Sequence, residues 1–321
     1  MSGMIALRSF NVVFAALLLP MLSACNATTV DSDLVKVSMV SGQNCEIAKF
    51  ADIPIQISGN HILMPIEIDG SERFFILDTG AQTSTVTPEF AQSAGLEATG
   101  RKTRTVGIGG ATITADVSVP IIKIGGFGIH NTSMVTAVMM QPPAPAPQAV
   151  GIIGQPILQA FDVEVDLPHR RVALYAPKHC ADGFLPWGAP FTVSKAEITK
   201  RGIVVPALLD GKSLPALIDT GAATTILSDG GLQDFGVSIE TVLKEPAIRV
   251  TGAGGRSIEM HVHRFSRLSV GGAFIDHPRL LVGEIAAPAR IIVGLDFMAK
   301  FRVWISYATN QVFLAAPGPG S

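Results

Sequence analysis

Short apolar runs, broken at close intervals by Gly, Pro and Asp, dominate the chain, and stretches with a helical period are scarce. That pattern predicts a mainly β architecture. The run Ile62-Leu63-Met64-Pro65-Ile66-Glu67-Ile68 meets a turn signal at Asp69-Gly70, and Arg73 to Leu77 follows, so the segment reads as a hairpin. The arrangement recurs further on as Ile203 to Leu209, the turn Asp210-Gly211-Lys212, and Leu214 to Ile218. Each second strand runs into Asp-Thr-Gly-Ala, at 78–81 and again at 219–222, and short helical segments are predicted just beyond, at Pro88 to Ala94 and Asp229 to Phe235.

A lone Asp-Thr-Gly arises by chance in roughly one chain in twenty of this length, so a single copy carries little weight. Two copies, 141 residues apart (219 minus 78), with the same landmarks in the same order around them, point to an internal duplication. Gly125-Gly126 is echoed by Gly271-Gly272, Ile152-Ile153-Gly154 by Ile292-Val293-Gly294, and Phe161-Asp162-Val163 by Phe301-Arg302-Val303. The spacings differ by a few residues, as loops do, and the first half carries the stiff segment Pro142 to Pro147, which reads as a surface loop. The expected organisation is a leader over 1–24, a tether and arm of little pattern over 25–54, lobe one over 55–176, a linker over 177–198, lobe two over 199–316 and a tail over 317–321.

Composition narrows the functional classes. With 24 Lys and Arg against 26 Asp and Glu, the formal net charge of −2 provides no basic field, and nucleic acid is set aside as a partner. The first 25 residues read as a targeting segment: Arg8 is followed by an apolar stretch from Asn11 to Pro20, then Leu22-Ser23-Ala24-Cys25. This resembles a bacterial lipoprotein signal, which implies cleavage before Cys25, a lipid on that cysteine and an exported protein tethered to the cell envelope, facing the periplasm. Asn26 after the cysteine favours the outer membrane; the alternative is an ordinary secretory signal cut near Ala24 or Ala27. The remaining cysteines, Cys45 and Cys180, form a candidate disulfide pair in an oxidising compartment, with two independent thiols as the rival reading.

Two glycine-rich segments stand behind the repeated motifs. Val106-Gly107-Ile108-Gly109-Gly110 and Thr251-Gly252-Ala253-Gly254-Gly255 lack the lysine of a phosphate loop, and they read as β-hairpin tips able to close over a substrate. With the two Asp-Thr-Gly-Ala signatures and the apolar-apolar-Gly signals near the end of each half, the chain resembles the retropepsin-like aspartic proteases over residues 55 to 175 and 200 to 316. It looks like a tandem, single-chain version, which implies an all-β fold of two homologous lobes about a pseudo-two-fold axis and a monomer with a pseudo-dimeric site.

By that resemblance Asp78 and Asp219 form a catalytic dyad, and Thr79 and Thr220 cross-link the two loops from hydroxyl to backbone. Gly80, Ala81, Gly221 and Ala222 complete the supporting turns, and Ile108, Gly109 and Gly110 with Ala253, Gly254 and Gly255 act as flaps. Gly154-Gln155-Pro156 departs from the viral pattern, which has an Arg after the Gly. Two carboxyls at hydrogen-bonding distance share one proton and can act as acid and base together, hydrolysing a peptide bond without metal or cofactor. Alanine at 81 and 222 removes a hydroxyl donor, so activity is expected at mildly acidic to neutral pH rather than in strong acid.

Rival readings are a structural Asp-Thr-Gly turn and a peptide-binding module of the same fold with weak or lost catalysis. The pair His261 and His263, on one face of a strand, is a candidate metal pair with no third ligand at a telling spacing; exposed strand histidines are the alternative. Asp162, Asp166 and Asp296 read as turn or capping residues. Ile108, Ile152, Ile153, Ile292 and Val293 are the candidate apolar lining of a substrate pocket.

Overall fold

A computed structural model of the chain describes residues 30–31, 38–42, 45–59, 61–107, 110–139, 141–178, 185–187, 190–251, 257–285 and 287–318. The predicted hairpins form as His61–Ile68 with Ser71–Leu77 and Gly202–Leu209 with Lys212–Ile218. Their turns show why Asp-Gly was required. Asp69 and Gly70 have φ of 51° and 70°, and Asp210 and Gly211 have 47° and 79°. Two successive positive-φ residues match the right-handed twist of the flanking strands.

In lobe one, Ala149–Ile153 lies parallel to Ser71–Leu77, and Thr85–Val86 bridges it to Phe127–Thr136. Phe127–Thr136 pairs in turn with Gly110–Ile124, which pairs back to His61–Ile68, so six strands close a barrel. Lobe two repeats the circuit with Ile291–Val293 parallel to Lys212–Ile218 and Ile226–Ser228 parallel to Arg279–Gly283. The long hairpin of lobe one is split here, into Ser257–Arg264 with Arg267–Val270 and Ala273–Asp276 with Arg279–Gly283. Each lobe places one non-glycine positive-φ residue at the equivalent point of this hairpin, Asn131 (55°) within a continuous strand and its counterpart His277 (50°) between two.

A third sheet joins the lobes, in the strand order 191–195, 311–315, 302–306, 162–166, 171–178, 45–54, 38–42. At its centre Asp162–Asp166 of lobe one pairs antiparallel with Arg302–Ser306 of lobe two, and one hydrophobic core runs through both lobes. Two carboxylates buried in this sheet find partners on the strands beside them. Glu164, fully buried, accepts from the Tyr175 hydroxyl at 2.7 Å and pairs with Arg302, while Asp162 accepts from Trp304 Nε1 at 3.1 Å and Ala308 N at 3.2 Å. Unpaired, those carboxylates would each be strongly destabilising.

This sheet corrects two expectations. The arm over 25–54 is not patternless: Cys45–Pro54 is a ten-residue strand paired with Arg171–Lys178, burying Ile47, Ala48, Ala51 and Ile53. The linker over 177–198 likewise contains Phe191–Lys195, paired with Gln311–Ala315, and Trp187 packs against Trp304 at a ring-centroid distance of 6.1 Å. The reason is common to both. Each lobe closes its side of the shared sheet with a strand that enters it from outside the barrel.

Candidate active site

Asp78 and Asp219 each leave the end of a buried strand, Ser71–Leu77 and Lys212–Ile218. Each is fixed by a backbone bond to the parallel neighbour, Asp78 N to Ile153 O at 3.0 Å and Asp219 N to Val293 O at 3.1 Å. The following turn curls back: Gly80 N donates to Asp78 Oδ1 at 2.9 Å and Gly221 N to Asp219 Oδ1 at 2.8 Å.

The two turns are locked to one another through their threonines. Thr79 Oγ1 donates to Ile218 O at 2.8 Å and accepts from Thr220 N at 3.0 Å. Thr220 Oγ1 donates to Leu77 O at 2.9 Å and accepts from Thr79 N at 2.9 Å. Both side chains are fully buried, so these four bonds are shielded from competing water. A hydroxyl is the group this geometry needs, since it donates and accepts at once.

The lock holds each glycine against the opposite carboxyl. A Cβ on Gly80 would lie 2.5 Å from Asp219 Cγ, and one on Gly221 would lie 2.4 Å from Asp78 Cγ. The carboxyls are thereby brought into direct interaction, half-buried at the pseudo-two-fold axis. Burial is the first cause raising the pKa of both. For Asp78 the negative charge of Asp219 and a hydrogen bond to it raise it further, well above the ordinary aspartate range, while backbone N–H groups of Ala81 and Gly80 oppose. Asp219 is also raised, by burial, against the backbone donors Gly221, Ala222 and Gly80 and the hydrogen bond from Asp78. A pair so arranged holds one proton between two acids and titrates as a unit.

Behind each turn sits a glycine that sequence reasoning noted only as a landmark. Gly154 N donates to Ser84 Oγ at 3.0 Å and Gly294 N to Thr225 Oγ1 at 3.1 Å; a Cβ at either position would meet backbone at 2.7 Å. Ser84 and Thr225 were missed. Each follows its Asp by six residues, so aligning Asp-Thr-Gly-Ala-Gln-Thr-Ser with Asp-Thr-Gly-Ala-Ala-Thr-Thr would have found them. Gln155, in place of the viral Arg, directs Nε2 to Thr79 O at 3.4 Å.

The duplicated turns, their cross-links and the paired acids are matched at the level of sequence by an aspartyl protease family model, which fits residues 64–157 and 205–297. The chain belongs to the aspartyl protease family. Each matched span brackets one Asp-Thr-Gly-Ala and one of the glycines at 154 and 294. The fold is also similar to the crystal structure of the aspartic proteinase from Irpex lacteus, with a TM-score of 0.52 and 12% identity over 83% of this chain and 97% of that one. No curated protein matches the sequence.

Other site expectations fall in different places. Gly110 begins the strand Gly110–Ile124, while Ile108, Gly109, Ala253, Gly254 and Gly255 lie outside the described residues, as do Cys25 and Cys180. The stems leading to the hairpin tips pair as far as Gly107↔Gly110 and Thr251↔Ser257. Ile153 and Val293 are corrected: both are fully buried in the core, because alternation along the strand turns them inward and leaves Ile152 and Ile292 on the other face. His261 is not an exposed strand histidine but buried, its Nδ1 within 3.1 Å of Glu245 O, and His263 Nδ1 lies 2.9 Å from the Glu245 carboxylate. Asp166 holds the turn at His169, whereas Asp296 does more than cap: its Oδ1 accepts from Phe297 N, Thr225 N and Thr225 Oγ1 at 2.8, 2.9 and 2.6 Å.

Proposed function

We propose that this aspartyl protease family member is an active endopeptidase in which Asp78 and Asp219 share one proton and hold a water between them. The ionised carboxylate takes a proton from that water as it attacks the scissile carbonyl. The protonated partner donates to the carbonyl oxygen, giving a tetrahedral intermediate. Collapse of the intermediate returns a proton to the leaving amine, so no covalent adduct forms. The supporting observation is the mutual interaction of two half-buried acids whose turns are cross-linked through Thr79 and Thr220.

The raised pKa values agree in direction with work at mildly acidic to neutral pH. A pH-rate profile peaking near pH 2 would overturn that part of the reading. Cleavage of a peptide library by the purified protein tests the whole. Cleavage lost in both Asp78→Asn and Asp219→Asn is the expected result; peptide binding without cleavage by the wild type would instead make the protein a binding module.

The address is proposed from the leader alone: export, lipidation of Cys25 and envelope attachment. Radiolabelled fatty acid incorporated by the wild type but not by Cys25→Ser is the expected result. The bridge between Cys45 and Cys180 is proposed from the expected export; the strand register ends at Lys178↔Glu46, one residue from Cys45 and two residues along the sequence from Cys180. Peptide mapping without reduction tests it. Because both acids come from one chain, a monomer by light scattering is expected.

A further inference from the structure

The two lobes present the same face of the same strands beside the dyad, yet they cover it with different chemistry. The registers make the correspondence explicit. Thr85 and Ile226 each follow their Asp by seven residues. They pair with Val135 and Leu281, which pair in turn with Asp116 and Val262. Along the hairpin stems Thr114 then corresponds to Met260, and their partners Thr103 and Ile248 to each other. In lobe two, Ile226 and Met260 form an apolar cluster with Val250, Ile258 and Val262 packed against it. In lobe one the five corresponding positions carry four threonines and one acid: Thr85, Thr114, Thr105, Thr112 and Asp116.

That substitution leaves polar atoms without partners. Asp116 Oδ1, Thr85 Oγ1 and Thr114 Oγ1 are buried and make no hydrogen bond, although Asp116 and Thr85 are each only 6% exposed. Buried polar groups in a folded protein nearly always have a partner, from the protein, from water or from a ligand. Of these residues Asp116 lines a cavity of about 420 Å³, together with Thr83, Ser84, Arg101, Ser133 and Pro156 among others, while Thr85 and Thr114 pair with the lining residues Val135 and Thr103. Thr83 and Ser84 belong to the loop that carries Asp78, and the Thr83 carbonyl lies against Gly154, so the cavity opens between the dyad turn and the hairpin stem.

We propose, building on the endopeptidase reading, that this cavity is a polar specificity pocket with Asp116 at its floor. It takes an uncharged hydrogen-bonding side chain of the substrate, best an amide. The charges decide the class. Arg101 reaches Asp116 Oδ2 at 3.6 Å and Ser133 Oγ at 2.9 Å, and Lys102 adds a second cation, so the pocket carries one net positive charge and disfavours Lys or Arg. A carboxylate would face Asp116. An amide offers an N–H to Asp116 and a C=O to Arg101 or the hydroxyls. The corresponding face of lobe two, apolar at Ile226, Met260 and Val262, takes an aliphatic side chain on the other side of the scissile bond.

The test is positional profiling of cleavage with the full-length protein. Expected is Asn or Gln at one position and an aliphatic residue at its two-fold-related position. The double variant Thr85→Ile with Asp116→Val, which installs the lobe-two residues, should lower the preference for amide over leucine about tenfold. Asp116→Asn, which keeps the shape, should lower it less. Aliphatic preference at both positions in the wild type, or an amide preference unchanged in both variants, would overturn the proposal. A second arm works without catalysis: binding of non-cleavable peptides, scanned with Gln or Leu at each flanking position, to Asp219→Asn protein by calorimetry. If the wild type cuts nothing, the endopeptidase reading fails, and tighter binding of the Gln peptides still supports the pocket while equal or weaker binding removes it.

Discussion

Lobe one and lobe two build the same turn from the same four residues and brace it from behind with different ones. In lobe two, the Asp296 carboxyl holds both the N–H and the hydroxyl of Thr225, whose hydroxyl in turn accepts from Gly294 N. In lobe one, Pro156 stands where Asp296 would be, and Ser84 alone accepts from Gly154 N, with Gln155 reaching Thr79 O from the side. The asymmetry stops at the threonines. From Thr79 and Thr220 inward, every bond in one lobe has its counterpart in the other to within 0.1 Å. A shared proton requires the two acids to be equivalent in position, and it places no such demand on what supports them.

If that equivalence is real, neither acid is dispensable. Asp78→Asn and Asp219→Asn should each lower kcat by about 1,000-fold or more, since each removes one member of an acid-base pair. Equal losses sustain the comparison, and a variant retaining a tenth of the activity would break it. The glycines come next. Gly80→Ala and Gly221→Ala push a methyl into the opposite carboxyl, at 2.5 and 2.4 Å, and overpacking of this kind costs about 1–3 kcal/mol. Both should lose most activity while remaining folded, read by peptide cleavage and circular dichroism together.

The braces should respond unequally. Asp296→Ala strands the buried Thr225 hydroxyl and its N–H, a loss of about 1–3 kcal/mol, whereas Ser84→Ala forfeits a single bond worth about 1 kcal/mol. Urea unfolding checks the order. Equal destabilisation would mean that the acid of lobe two adds nothing to what a lone hydroxyl supplies.

The symmetric part of the site was legible in the sequence because it is local: a strand, Asp-Thr-Gly-Ala, and a matching copy are contiguous residues. Asp69-Gly70 and Asp210-Gly211 were legible for the same reason, as turns that positive φ demands. The third sheet was not. Ala51-Asp52-Ile53-Pro54-Ile55 does alternate buried with exposed, but its partner lies across the lobe at Arg171–Lys178, and no local signal distinguishes such a strand from an arm. Ser84, Thr225 and Asp116 were hidden in another way. Single hydroxyl and carboxyl residues in Thr-rich strands read as surface positions until the register shows which face they share.

The smallest expected effect concerns stability rather than rate. A carboxyl whose pKa is raised by folding binds its proton more tightly in the native chain than in the unfolded one. From the ordinary aspartate value of 3.8 upward to the raised native value, the folded chain therefore holds more protons, and stability declines as pH rises through that window; below 3.8 the contribution is fully present. Removing either carboxyl relieves the penalty. At pH 7 Asp78→Asn should melt higher than the wild type by about 1–2 °C, corresponding to roughly 1 kcal/mol in a chain of this size, and the two curves should converge near pH 3.5. Because the pair titrates as one unit, Asp219→Asn should trace the same curve. Calorimetric scans from pH 3 to 7 on the three proteins decide it. A difference between the two variants would show that the lobes, matched in geometry, hold the shared proton unequally, and the lobe whose asparagine variant gains more stability is the one that carries it.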